Sequence, residues 1–119
     1  MSDANPILTR LMAVIEDRRA HPGERSYTST LLAGGVDKIG AKVVEEAAEV
    51  VEAAHSADTP EGRAHLVHEA ADLIYHLFVM LGFRQIALAE VEAELARRFG
   101  ISGLEEKAAR PHKQSHPES

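Results

Sequence analysis

The chain has 119 residues, 45% hydrophobic and 27% charged, which is enough for one domain with a real core; its net charge of −6 argues against nucleic acid as a general partner. It has no cysteine, which excludes a disulfide framework, a thiolate zinc site and a cysteine nucleophile. Aromatic residues make up only 4% and alanine is abundant, a balance that favours helices over a sheet.

In chain order, Asn5-Pro6 is a helix start, with asparagine as cap and proline at the first helical position. The stripe Ile7, Leu8, Leu11, Val14 and Ile15 predicts a first helix over about 6–20, ended by His21-Pro22-Gly23. Residues 21–36 read as a connector. Its hydroxyl-rich run Ser26-Tyr27-Thr28-Ser29-Thr30 either caps the short turn Leu31-Leu32-Ala33 or lines the mouth of a site, and Gly34-Gly35 ends that turn.

A second helix is predicted over about 36–55. Val36, Ile39, Val43, Ala47, Val50 and Ala54 form its inward stripe, widened by Val44 and Val51, and Lys38, Lys42, Glu45, Glu46, Glu49 and Glu52 lie on the opposite flank. Ser56 to Gly62 breaks the chain. A third helix over about 61–83 then carries Leu66, Ala70, Leu73 and Leu77 inward and His65, Glu69, Asp72 and His76 on a polar edge. Its second half, Leu73 to Phe83, is apolar nearly all round, a pattern of burial on several faces. In so small a chain the natural cover is a second copy, which predicts a homodimer. A hydrogen-bonded or interface role suits His76 better than metal ligation. The fourth helix, over about 87–99, has Leu88, Val91, Leu95 and Phe99 inward and stops at Gly100. Residues 111–119 contain two prolines and no apolar residue, and are expected to be a disordered tail after a single domain over 1–110.

Glu46 and Glu49, and again Glu69 and Asp72, are spaced i, i+3, which puts each pair on one helix face about 5–6 Å apart at Cβ. If helices two and three form an antiparallel hairpin turning near Thr59, residues equidistant from Thr59 lie level. Glu46 then faces Asp72, and Glu49 faces Glu69. With helix axes about 8–10 Å apart the four carboxylates converge. Such a group repels itself unless a cation sits within it, and an all-oxygen donor set suits Mg²⁺ or Mn²⁺. Lys42 either only pairs with Glu46 one turn on, or, with Lys38 one turn before it beside that cluster, suits a polyphosphate. The bland alternative is a solvated acidic face, which would make the chain a helical interaction module. A di-iron carboxylate protein would need two Glu-x-x-His motifs, and only Glu52-x-x-His55 matches, at a helix end.

The run Lys42-Val43-Val44-Glu45-Glu46-Ala47-Ala48-Glu49 followed by Glu69-Ala70-Ala71-Asp72 resembles the E-x-x-E…E-x-x-D signature of the MazG-like all-α NTP pyrophosphatases. Ser26-Tyr27-Thr28 with Leu31-Leu32 and Gly35, then Asp37-Lys38-Ile39, then Gly100 to Lys107, narrow the resemblance to the phosphoribosyl-ATP pyrophosphohydrolase family over about residues 6–110. That resemblance implies an all-α, four-helix MazG-like bundle completed by dimerisation. It also implies Mg²⁺-dependent hydrolysis of phosphoribosyl-ATP to phosphoribosyl-AMP and pyrophosphate, the second step of histidine biosynthesis. It makes Glu46, Glu49, Glu69 and Asp72 the metal ligands, with Glu46 and Glu49 also counted among the catalytic residues. Glu45 would orient or deprotonate the attacking water. Lys38 and Lys42 would neutralise phosphate oxygens, joined by Arg98, Lys107 and Arg110 from the chain end. The alternative within the same superfamily is a house-cleaning NTP pyrophosphatase. The longest unbroken apolar run, Leu77 to Phe83, is too short to span a membrane, and the N-terminus shows no signal-peptide pattern, so a cytoplasmic enzyme with no membrane partner is expected.

Overall fold

The computed structural model describes residues 7–23 and 26–100, and among these it is all-α. It contains α1 (Ile7–Ala20), α2 (Tyr27–Ala54), α3 (Pro60–Phe83) and α4 (Leu88–Phe99), with no strand. Helices α1 to α3 belong to one compact unit reaching Ile86, and α4 belongs to a second unit that begins at Ala87. The expected start at Asn5-Pro6, Lys107, Arg110 and the tail lie outside the described residues.

Local chemistry sets the helix ends. Ser26 is extended and its hydroxyl accepts from the Ser29 N–H at 3.0 Å, so this hydroxyl caps α2. The expected short turn and second helix are one run of helix bent at Gly35, whose φ of 77° is freely open only to glycine. Thr59 caps α3 by accepting from the Gly62 N–H at 2.9 Å, and Pro60 fills the first turn. Gly62 is needed for space: a Cβ there would come 1.7 Å from the Ser56 carbonyl oxygen, so any side chain would open the turn between α2 and α3.

Antiparallel α2 and α3 make the most extensive contact in the chain, and α1 lies against both. The apolar core gathers at the open end of this hairpin, where Ile15 of α1, Leu31 and Ile39 of α2 and Val79 of α3 are fully buried. Nearer the turn, the α2–α3 seam is polar. Its buried members there include Glu46 and Glu69.

The helix faces therefore differ from the sequence expectation. On α2 the buried positions repeat every seventh residue as Ile39, Glu46 and Ala53, while Val36, Val44 and Val51 are exposed, Val44 by 70%. On α3 the buried positions are Glu69, His76, Phe78, Val79 and Gly82, whereas Leu77, expected inward, is exposed along with Val67 and Ile74. Glu46, Glu69 and His76 point into the seam, and of the expected stripes Ile39 is fully buried while Val43, Val50, Leu66 and Leu73 are half-buried. The apolar residues left on the surface of one chain are Val36, Val44 and Val51 on α2 and Val67, Ile74 and Leu77 on α3. Phe78 and Val79 are buried within the chain itself, so only part of the apolar second half of α3 remains for a partner.

By length and composition alone α3 is apolar enough to cross a membrane, with a mean hydropathy of 1.3 over its most apolar window. The helix as a whole thus goes beyond what its unbroken run Leu77 to Phe83 suggested. Its packed face carries Glu69 and His76 against α2, as in the central helix of a helical bundle.

Within its own unit, α4 starts with the Ala87 N–H donating to Glu90 Oε2 at 3.0 Å and ends at Gly100 in the left-handed region. Leu95 and Phe99, expected inward, are each about half-exposed.

Candidate metal centre

Three of the four expected ligands converge. Glu46 and Glu49 on α2 and Glu69 on α3 each present a carboxylate oxygen, and these oxygens all lie within 4.8 Å of one another. The i, i+3 spacing brings the first two together, and the hairpin turn brings the third level with Glu49. Glu46 and Glu69 are each only 6% exposed, and one oxygen of each (Oε1 in both) is buried without a hydrogen-bond donor. Buried carboxylate oxygens are normally satisfied, so this pair calls for a ligand that donates or carries positive charge.

Asp72 lies outside that trio. It sits one turn further along α3, more open to solvent, with Oδ2 at 3.5 Å from His68 Nε2.

The electrostatics are those of crowded acids. Burial first, and then neighbouring Glu49 and Glu46, hold the Glu69 carboxyl above the ordinary carboxylate range. The nearby cation is Lys42, with Nζ 3.3 Å from Glu45 Oε1 and 3.7 Å from Glu46 Oε2. Its hydrogen bond to Glu45 is the chief cause that raises its pKa, with smaller contributions from the Tyr27 phenol and Glu46. Among the described residues, one lysine shared by two glutamates leaves the cluster short of positive charge. An all-oxygen, anionic, partly buried donor set fits a hard divalent cation.

Glu45 is exposed and tied to Lys42. Lys38 is exposed one turn before Lys42. Arg98, on α4, donates to Glu94 at 2.8 Å.

Some neighbours, Glu52 and His65 among them, read from the sequence only as members of a polar flank or edge. A cavity of about 380 Å³ opens beside the trio, lined by Glu49, Glu52, Ala53, Ser56, His65 and Glu69. His65 Nε2 lies 3.8 Å from Glu69 Oε2. The signal was present, since His65 is i−4 from Glu69 and Glu52 is i+3 from Glu49, the same face rule that found the trio. One turn past Asp72, His76 is buried and hydrogen-bonded, as its sequence context suggested. Its Nδ1 lies 2.8 Å from the Asp72 carbonyl oxygen and its Nε2 3.2 Å from the Tyr27 hydroxyl. Thr28 meets the Tyr75 hydroxyl alongside.

The sequence model of the family described as "Phosphoribosyl-ATP pyrophosphohydrolase" matches residues 8–99. A protein named phosphoribosyl-ATP pyrophosphatase from Rhodopirellula baltica is 53% identical over 106 residues, covering 89% of this chain and 88% of that one. Proteins of the same name from Rhodobacter capsulatus and Geobacter metallireducens are 50% and 44% identical, covering 87% and 93% of this chain and 96% and 98% of theirs.

Proposed function

The chain belongs to the phosphoribosyl-ATP pyrophosphohydrolase family, and we propose that it hydrolyses phosphoribosyl-ATP to phosphoribosyl-AMP and pyrophosphate in the second step of histidine biosynthesis. The observation that carries this reading is the trio Glu46, Glu49 and Glu69, with two buried oxygens that no group among the described residues satisfies. Those residues, with Asp72 at the edge, would hold Mg²⁺, or Mn²⁺ in its place. The ion would supply charge neutralisation for the polyphosphate and its leaving group.

The chain's own side chains supply the rest. A water oxygen forms a bond to phosphorus, the anhydride P–O bond breaks, and pyrophosphate departs with the bonding electrons. Glu45, open to solvent one residue from Glu46, orients that water and accepts its proton. Lys42, between Glu45 and Glu46, and Lys38, one turn away, balance the charge on phosphate oxygens. Phosphoryl transfer is mostly positioning and charge neutralisation, so lysines and carboxylates suffice without a nucleophilic side chain. Arg98, Lys107 and Arg110 are proposed to hold the phosphate of the added phosphoribosyl group. Residues 1–110 would act as one catalytic domain, and the enzyme would work in the cytoplasm.

We further propose that a second copy covers the apolar stripes of α2 and α3. Val36, Val44 and Val51 on α2, and Val67, Ile74 and Leu77 on α3, are exposed apolar side chains at helical spacing, the kind of surface that marks an interaction site. Leu77→Glu and Val44→Glu are expected to shift a sedimenting dimer to monomer. A stable, folded wild-type monomer at micromolar concentration would rule the dimer out.

The activity test is product analysis with purified protein, Mg²⁺ and either phosphoribosyl-ATP or ordinary NTPs. Release of pyrophosphate from phosphoribosyl-ATP is expected. Orthophosphate as product, or a clear preference for ordinary NTPs, would move the protein to the house-cleaning branch of the superfamily.

A further inference from the structure

Tyr27 stands apart among the hydroxyls that open α2. Ser26 is used as the helix cap, and the Thr30 hydroxyl donates to the Ser26 carbonyl at 3.1 Å. Thr28 is buried against Tyr75. Tyr27 is 52% exposed, yet its ring is held. One face stacks on Tyr75, with centroids 6.3 Å apart and planes at 24°, and an edge-on contact to His76 has centroids 5.9 Å apart. A half-exposed tyrosine fixed on one side and open on the other is not filling the core.

The hydrogen bonds fix which way its hydroxyl points. The Asp72 carbonyl can only accept, so His76 Nδ1–H donates to it at 2.8 Å. In a neutral imidazole that leaves a lone pair on Nε2, and the Tyr27 O–H donates to it at 3.2 Å. The Tyr27 proton is thereby spent on His76. What the phenol offers outward is oxygen lone pairs, an acceptor. His76 is itself tied to the Asp72 backbone, and Asp72 lies one turn from Glu69, so the phenol stands toward the edge of the acidic site.

An acceptor at that place does not suit phosphate oxygens, which accept as well. It suits a neutral donor close to the phosphates. In a nucleoside triphosphate the sugar is the first group beyond the α-phosphate, and its hydroxyls are such donors. We propose that Tyr27 accepts a hydrogen bond from a hydroxyl of the ribose that carries the triphosphate, and that buried His76 is the positioning residue that aims the Tyr27 oxygen. This rests on the nucleotide-hydrolase reading given above and adds a substrate contact to it.

The test uses the whole chain with Mg²⁺, phosphoribosyl-ATP, and analogues lacking the 2′- or the 3′-hydroxyl on that ribose. Tyr27→Phe keeps the ring and removes the acceptor. KM is expected to rise about three- to tenfold, the size of one hydrogen bond, with kcat and the Mg²⁺ midpoint unchanged. For the wild type, one of the two analogues is expected to raise KM by the same factor, while Tyr27→Phe does not distinguish that analogue from the parent. His76→Leu is expected to match Tyr27→Phe and to add nothing in the double variant, and His76→Gln, which restores an acceptor, recovers most of the loss. If His76→Leu does not fold, the exposed Tyr27→Phe with the two analogues decides alone. An unchanged KM in Tyr27→Phe overturns the inference while leaving the enzyme reading intact, as does a fall in kcat with a shifted Mg²⁺ midpoint. A wild type that does not cleave phosphoribosyl-ATP removes the enzyme reading, and this inference with it.

Discussion

Glu69 on α3 and Glu94 on α4 are the same side chain in opposite surroundings. Glu69 is buried with Glu46 and Glu49, and one of its oxygens has no donor. Glu94 is exposed and receives hydrogen bonds from Arg97 Nε at 3.1 Å and Arg98 Nε at 2.8 Å. Their carboxyls accordingly move in opposite directions. Burial and neighbouring acids push Glu69 up, whereas Arg97 and then Arg98 hold Glu94 down at about 2. Local sequence explains Glu94 completely, since both partners lie within one turn of the same helix. Glu69 owes its state to α2, a different helix. A carboxylate satisfied by its own helix is finished as a structural unit, while carboxylates pressed together across a seam are incomplete and call for a ligand.

The largest effect that would break this contrast is on activity. Glu49→Gln and Glu69→Gln are each expected to lower pyrophosphate release at least about a hundredfold, beyond what loss of an outer-sphere partner of a metal ligand costs. Asp72→Asn is expected to follow them, and Glu94→Gln to stay within about twofold of wild type. Near wild-type turnover in Glu49→Gln would remove the trio from the chemistry.

Next in size is stabilisation by metal. An ion that binds only the folded chain adds RT ln(1 + [L]/Kd), about 2.7 kcal/mol at a hundredfold excess over Kd. A Mg²⁺ titration followed by thermal melting is expected to raise the wild-type and Glu94→Gln midpoints alike and to leave Glu49→Gln nearly flat. Without metal the order reverses for the trio. Glu49→Gln relieves repulsion among the acids, so its melting point is expected to equal or exceed that of the wild type. A lower metal-free melting point would show that the trio is held together by something other than an ion.

The smallest effect is in pH and salt. Glu69 binds its proton more tightly folded than unfolded, so without metal its contribution makes the fold less stable as pH rises from about 4.5 through its raised folded value. Glu94 runs the other way. Its contribution is present above the unfolded value of about 4.5 and is lost as pH falls through about 2. Melting curves of metal-free protein across both windows separate the two, and hydrogen exchange of the α4 amides reports the Glu94 part directly. Added salt is expected to weaken the exposed Glu94 contribution and leave the buried one largely intact. Equal salt sensitivity in both windows would mean that the trio is open to solvent.

The sequence by itself determined a good deal. Caps and glycines set several helix ends, because those signals act within one turn: the hydroxyl run at Ser26 as a cap and Gly100 at the stop, whereas Thr59 and Pro60 read only as part of a break and Gly35 as an end where the helix in fact bends and continues. The carboxylate cluster was also legible, because i, i+3 spacing and a turn near Thr59 fix which residues lie level on two antiparallel helices. Only the tertiary structure decided which way those helices face. An apolar stripe ordinarily marks the inward side, and by that rule Val44, Val51 and Leu77 belonged in the core, with Glu46, Glu69 and His76 on a polar edge. The packed chain buries the acids in the α2–α3 seam beside Ile39 and leaves Val44, Val51 and Leu77 outside. Periodicity reports that a face is apolar but not what covers it, and a chain that sets a polar site between two helices must turn their apolar faces elsewhere. The Tyr27–His76–Asp72 chain of hydrogen bonds was beyond sequence reach for the same physical reason: it joins residues 49 apart in sequence that only the hairpin brings together.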